Sequence, residues 1–171
     1  MNYAWMDETP VGRILVAGTE KGLHYVSFQE THFSSKAVAP EDDWALQPQF
    51  LKEPIRQLSA YFRGKLREFD VPLAPQGTVF QQQVWKALCN VPYGGTASYG
   101  EIAVAIRNAG AARAVGLANG QNPISIIIPC HRIVGRSGKL TGYGGGLDRK
   151  QTLLDLEAGV RRLHPLSVLQ D

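Results

Sequence analysis

The sequence predicts an α+β protein, with a small sheet-plus-helix unit followed by a mainly helical one. Three observations carry that reading. Two β-rich runs, Arg13–Ala17 and Leu23–Phe28, flank the glycine-containing loop Gly18–Gly22. Leu51, Ile55, Leu58 and Phe62 recur at i, i+4, i+7 and i+11, one face of an amphipathic helix. Further along, two short helical stretches are joined by the turn Asn108-Ala-Gly110, the layout of a helix-turn-helix.

The first two runs form a hairpin, and Tyr3–Met6 can add a third strand. Residues 29–48 are polar and contain the acidic cluster Glu41-Asp42-Asp43, so an irregular connection is expected. Gly64 stops the helix that carries Leu51 to Phe62. Phe69, Val71 and Leu73 then alternate as a half-buried strand would. Pro72, Pro75 and Gly77 punctuate the chain, which divides it into domains at 1–76 and 77–171.

Thr78 is placed to cap the next helix, whose apolar face is Phe80, Val84, Trp85 and Leu88. Cys89 lies at the end of that face and reads as core. Ser98–Ile106 and Ala111–Asn119 are the paired helices. The second exposes Ala112 and Ala114 around one long side chain, Arg113, so its backbone can approach a partner closely. Ile124–Ile128 is an apolar run too short for an ordinary helix and reads as a buried strand or extended segment. Gly135–Gly146 holds six glycines in twelve residues and must be a loop. Leu147–Glu157 is the last helix, ended by Gly159, and the tail from Val160 is expected to be disordered.

With 171 residues, 44% hydrophobic and 19% charged, the chain has material for a sizeable core. No apolar run approaches the roughly 20 residues of a membrane helix, and the N-terminus lacks the pattern of a secretory signal. A cytoplasmic protein without membrane association is expected. Two cysteines and four histidines show no short paired spacing, so no metal is expected. Residues 1–75 carry 8 Lys/Arg against 10 Asp/Glu, and residues 76–171 carry 10 against 5. A basic second half suits a polyanion such as nucleic acid, although a chance imbalance accounts for it equally well.

The chemistry concentrates in Pro129-Cys130-His131-Arg132. A cysteine attacks as its thiolate, which a neighbouring base or positive charge favours. His131 could be the base and Arg132 the field, while a buried structural cysteine is the bland alternative. In an extended segment adjacent side chains point to opposite faces, so His131 needs a turn or a bridging water to act on Cys130. Glu157 sits in the last turn of its helix, where the macrodipole disfavours an acid by about 0.3–1 kcal/mol. Either it has a specific partner such as a histidine, or it is an exposed acid tolerated at small cost. The glycines of Gly142–Gly146 lack the spacing of a nucleotide-cofactor loop, but they can bring backbone close to a planar ligand, with Tyr143 as an aromatic wall.

Taken together, Ala111-Ala-Arg-Ala-Val-Gly116, Asn122-Pro123, Ile128-Pro-Cys-His-Arg-Ile133, Gly142-Tyr143 and Gly145-Gly146 resemble the O6-alkylguanine-DNA alkyltransferases in their stand-alone bacterial-type form. The resemblance is clearest from Phe80 to Gly159. It implies a ribonuclease-H-like first domain and a winged helix-turn-helix-like second domain that binds DNA and carries the catalysis. The implied activity is direct repair: a flipped O6-alkylguanine or O4-alkylthymine gives up its alkyl group irreversibly to a cysteine. By position, Cys130 is the acceptor, His131 activates it through a water, Glu157 orients His131, and Asn122 braces the site. Tyr99 aids nucleotide rotation. Tyr143, Gly144, Lys150 and the carbonyl of Ile133 surround the guanine. Arg113 is the finger that fills the gap in the duplex, with Ala112, Ala114 and Arg132 also on the DNA side. Gly144 replaces a serine of some relatives, leaving only a backbone N–H to donate to O6. No cofactor is implied, and the partner is duplex DNA bound by a monomer.

Two other readings predict different behaviour. A lesion-binding module would keep Arg113 and Tyr99 without needing a reactive thiol. A cysteine hydrolase would turn over esters or peptides and need no DNA. Stoichiometric, DNA-dependent loss of the Cys130 thiol separates all three.

Overall fold

The computed structural model describes residues 1–29 and 37–159. The expectation for the tail from Val160 lies outside them, as does part of the connection expected over residues 29–48.

The chain opens with β1 (Asn2–Met6), β2 (Ile14–Thr19) and β3 (Gly22–Phe28), paired antiparallel in the order β3-β2-β1. Met6 faces Ile14, and Ile14 faces Phe28. This is the predicted hairpin and its third strand. The connection after β3 contains one element the sequence did not signal. Ala45–Leu46 (β4) pairs in parallel with Asn2–Tyr3 at the sheet edge. Two exposed residues are too few to display a period.

Helix α1 (Lys52–Phe62) follows, and Gly64 stops it with φ +69°. Leu58 and Tyr61 of this helix are fully buried. The expected strand at Phe69–Leu73 does not form. The three side chains are half-buried in alternation, but the backbone makes only a single bridge, Leu23 to Leu73. In that bridge Leu23 N–H donates to Pro72 and Ala74 N–H donates to Leu23, at 2.8 and 2.7 Å. The prolines at 72 and 75 bring no N–H of their own to a ladder. Gly22 permits the approach: it has φ +132°, and a Cβ there would lie 2.6 Å from the Pro72 carbonyl oxygen.

The same edge of β3 binds the second half of the chain. Val26 N–H donates to Pro123, and Ser125 N–H donates back to Val26, both at 3.0 Å. The segment Ile124–Ile128 is buried as expected, but it is neither strand nor extended. It closes a turn in which Ile128 N–H reaches the Ile124 carbonyl at 3.0 Å and Ile126 takes φ +72°. A β-branched residue in that region costs on the order of 1–3 kcal/mol. The turn holds Ile124, Ile126 and Ile128 together inside the core, and their burial offsets the strain.

Helices α2 (Val79–Leu88), α3 (Tyr99–Ala105), α4 (Ala112–Gly120) and α5 (Leu147–Glu157) match the predicted helices. Thr78 with Gln81, and Ser98 with Glu101, form reciprocal capping boxes, each worth about 1 kcal/mol. Trp85 anchors α2 to α4 by donating its indole N–H to Ala118 at 2.9 Å. Cys89 is not core: it caps the exposed end of α2, one residue past the buried Leu88. Ala97–Ser98 (β5) pairs in parallel with Ile133–Val134 (β6), which ties the start of α3 to the residues after Cys130. One apolar core runs from Ile14 and Val26 through Val84 and Leu88 to Ile133 and Leu153. Among the described residues, no helix is long and apolar enough to cross a membrane.

Candidate active site

Cys130, His131 and Arg132 form a single 3-10 turn between Pro129 and β6. The backbone here is a turn and not the extended segment considered from the sequence. Cys130 opens into a cavity of about 230 Å³ whose wall includes Asn122, Tyr143, Gly144 and Gly145. The turn sends His131 and Arg132 inward, both buried, toward the end of α5.

Asn122 braces the turn. Its Oδ1 accepts from Ile124 N–H at 2.9 Å, and its Nδ2 donates to the Ile128 carbonyl at 2.8 Å and to Cys130 Sγ at 3.1 Å. One amide therefore fixes the backbone before the cysteine and touches the sulfur itself. Asn119 on α4, which the sequence did not single out, adds a longer contact from Nδ2 to the Cys130 carbonyl, 3.5 Å.

Glu157 is a hub. Its carboxylate accepts from Tyr61 Oη at 2.7 Å, His131 Nε2 at 2.7 Å, Arg132 Nε and Nη2 at 3.0 and 2.9 Å, and Gly94 N–H at 3.2 Å. Burial pushes the carboxyl upward, but the hydrogen bonds from His131 and Arg132 and the charge of Arg132 outweigh it and hold it at about 2. The group is therefore ionised at neutral pH and can only accept. His131 Nε2 must be the protonated nitrogen, which leaves a lone pair on Nδ1. That nitrogen is buried and has no hydrogen-bond partner among the described residues. Burial also lowers the His131 pKa, against the pull of Glu157. His131 is thus a neutral, oriented base.

The thiol itself is not activated at rest. Burial raises the Cys130 pKa, opposed by the hydrogen bond from Asn122, by the neighbouring Tyr143 hydroxyl and by the charge of Lys150. The sequence points to a positive field that lowers it; here desolvation dominates. Lys150 is fully buried beside this site, donating to the Thr141 carbonyl at 2.9 Å, and burial lowers its pKa. Tyr143 packs edge-on against Phe28 of β3, with ring centroids 6.0 Å apart.

Arg132 requires a correction. Expected on the DNA side, it is buried, with Nη1 on the Val91 carbonyl at 2.7 Å and the rest of its fork on Glu157. Its guanidinium is committed to a buried carboxylate and a carbonyl and is not presented at the surface.

The model of the 6-O-methylguanine DNA methyltransferase DNA-binding domain matches residues 79–159, and that of the ribonuclease-like domain of the same methyltransferase matches residues 1–75. The chain belongs to the 6-O-methylguanine-DNA methyltransferase family. Its relatives include the methylated-DNA–protein-cysteine methyltransferase of Methanosarcina acetivorans, 55% identical over 157 residues, which are 92% of this chain and 98% of that one. The protein of the same name from Mycobacterium tuberculosis is 52% identical over 157 residues, 92% of each chain. A crystal structure of M. tuberculosis OGT in complex with DNA superposes with a TM-score of 0.84 at 50% identity, covering 94% of each chain.

Within this methyltransferase fold, the remaining predicted residues fall in two places. Gly144 lines the Cys130 cavity, and Ile133 is buried in β6 immediately after the Cys130–Arg132 turn. Arg113 and Ala114 are exposed on α4, and Ala112 is half-buried. Tyr99, at the first turn of α3, does not line the Cys130 cavity. It borders a second cleft with Ala112 and Arg136, and its hydroxyl meets Thr141 Oγ1 at 3.0 Å. Tyr61 and Gly94 were not legible as site residues. Tyr61 lies 96 positions from Glu157, and its only sequence signal is a tyrosine one turn after Leu58 on a buried helix face.

Proposed function

We propose that this protein repairs duplex DNA by irreversible transfer of the alkyl group of O6-alkylguanine to Cys130. The observation that carries the reading is the chain of contacts Asn122–Cys130 and His131–Glu157 around a thiol that opens into a cavity. Relatives named methylated-DNA–protein-cysteine methyltransferases support it.

His131 Nδ1 takes the thiol proton through a water. The thiolate sulfur attacks the alkyl carbon, a polarisable nucleophile displacing at carbon. The S–C bond forms as the C–O6 bond breaks, and the electron pair stays on the guanine, which then receives a proton. The reaction balances without a redox partner, and no cofactor is invoked. Tyr143 and Lys150 face the developing charge, and the Gly144 N–H donates to O6. The carbonyls of Cys130 and Ile133 receive the guanine amino group. Because the thioether does not turn over, each molecule acts once.

The reactive carbon is inaccessible in a stacked base, so the nucleotide is flipped, at a cost of a few kcal/mol. The small residues Ala112 and Ala114 let α4 enter a minor groove about 6 Å wide, while Arg113 fills the gap and Tyr99 turns the nucleotide. Activity on O4-alkylthymine, action as a monomer, a cytoplasmic location, and functional domains at 1–76 and 77–171 belong to the same proposal.

The test is intact-protein mass after mixing with one equivalent of duplex containing O6-methylguanine. A gain of one methyl group, lost in Cys130→Ser and kept in Cys89→Ser, is expected. DNA binding without mass change would instead mark a lesion-binding protein.

A further inference from the structure

Arg149, on the first turns of α5, is not part of the chemistry above, yet its guanidinium joins three separate segments. Nε donates to the Val11 carbonyl at 2.7 Å, Nη2 to the Gln29 carbonyl at 2.7 Å, and Nη1 to the Gly145 carbonyl at 3.2 Å. Val11 lies between β1 and β2, Gln29 follows β3, and Gly145 is in the wall of the Cys130 cavity. The guanidinium also lies over the Phe28 ring, 5.2 Å from its centroid. That ring in turn abuts Tyr143 and leaves no room at Gly145, where a Cβ would lie 2.6 Å from Phe28. The turn that presents Val11 closes at Gly12, which has φ +86° and would bring a Cβ to 3.3 Å from Arg149.

The loop that forms the cavity wall is costly to order. It carries six glycines in twelve residues, and glycine loses the most freedom on ordering. Arg149 holds the loop against a sheet edge that is already fixed by pairing. A planar fork of five donors suits three carbonyls in different directions, and an ammonium does not reproduce it.

We propose that Arg149 is a positioning residue for alkyl transfer: it clamps Gly145 to the sheet and so sets where Tyr143 and Gly144 meet the base. This rests on the reading of the cavity as the guanine site. It assigns the first half of the chain a role in catalysis, since two of the three carbonyls and the aromatic platform come from there.

The test uses the full-length chain as wild type, Arg149→Lys and Arg149→Leu. Four quantities are read: the single-turnover transfer rate at saturating O6-methylguanine duplex, the duplex affinity in a Cys130→Ser background, the rate of Cys130 alkylation by iodoacetamide, and Tm. Small misplacements of reacting groups cost about tenfold to a hundredfold. The transfer rate is therefore expected to fall at least about tenfold in both variants, with duplex affinity and thiol alkylation within about twofold. A purely structural role would lower Tm and alter all three functional readings together. If Arg149→Leu does not fold, Arg149→Lys, which keeps the charge and the aliphatic stem, decides the matter alone. Transfer at the wild-type rate in Arg149→Lys, or loss shared equally by affinity and thiol reactivity, overturns the proposal. A wild-type protein that binds the duplex but does not transfer overturns the reading of the site, and with it this inference.

Discussion

The hydroxyl of Tyr61 donates to Glu157 Oε1 at 2.7 Å, and that same oxygen receives His131 Nε2 at 2.7 Å. A side chain on α1 thus completes the shell of the carboxylate that holds His131. The helix buries Leu58 for packing, and Tyr61, one turn on, carries a polar tip into the second half of the molecule.

Tyr61→Phe removes one donor from a carboxylate that keeps four others. The expected loss is about 1.5–3 kcal/mol of stability, the worth of a hydrogen bond to a charged group, toward the lower end because the acceptor stays satisfied. Transfer should slow only a fewfold, since Arg132 still holds Glu157. Denaturant unfolding and single-turnover kinetics read the two effects. Unchanged stability would mean that the Tyr61 contact is not formed in solution.

Acid should unfold the protein through Glu157 and His131. Glu157 has its pKa depressed from 4.5 to about 2 in the fold. Its contribution is fully present above pH 4.5 and is lost as pH falls toward 2, amounting to about 3 kcal/mol at 1.36 kcal/mol per unit. His131 has its pKa lowered below 6.5, so the unfolded chain binds that proton more readily, and stability falls as pH drops below 6.5. Both signs agree, so chemical denaturation midpoints should decline from about pH 6.5 downward. Glu157→Gln should flatten the part below pH 4.5. The acid limb of the transfer rate should likewise lie below pH 6.5, and a limb above that value would show that His131 is charged in the resting protein.

Asn122→Ala leaves the Ile124 N–H and the Ile128 carbonyl without their side-chain partner and withdraws the donor from Cys130 Sγ. Since that donor lowers the thiol pKa against burial, the thiol becomes still harder to ionise. Iodoacetamide alkylation of Cys130 across pH should shift to higher pH, and transfer should slow by about tenfold or more for each 1.4 kcal/mol of lost thiolate stabilisation. An unchanged alkylation profile would assign Asn122 to the backbone turn alone.

The first three strands, the five helices and the Thr78 cap were legible because each is written locally. Thr78 and Ser98 sit one residue before an apolar period, and Gly64 and Gly159 end one. Two apolar runs misled for opposite reasons. Phe69–Leu73 has the alternation of a strand, but Pro72 within it and Pro75 after it limit it to one bridge with β3. Ile124–Ile128 is as apolar as a strand, but Asn122 and the left-handed Ile126 fold it into a turn. The motif residues Cys130, His131, Glu157 and Asn122 do converge. What sequence could not supply is the direction of each side chain. Arg132 follows His131 inward, Cys89 lies past the buried face of α2, and Tyr61 and Arg149 act across distances no local pattern encodes.

The two arginines that the family resemblance puts alike on the DNA side should separate completely. Arg113 is exposed on α4, with small residues at Ala112 and Ala114 on either side. Arg113→Ala should leave Tm nearly unchanged, as surface substitutions usually do, while slowing transfer from duplex lesions much more than from a lesion in a single strand, where no gap in a duplex must be filled. Arg132→Ala should do the reverse. It strips a buried carboxylate of its bidentate partner and should destabilise the fold by about 3–5 kcal/mol, yet it should not reduce the salt dependence of DNA binding, because Arg132 makes no phosphate contact to lose. Thermal melts and affinities measured across a salt series discriminate the two. A reduced salt slope in Arg132→Ala would mean that its guanidinium leaves Glu157 when DNA arrives, which the fork of bonds at 2.9 and 3.0 Å opposes.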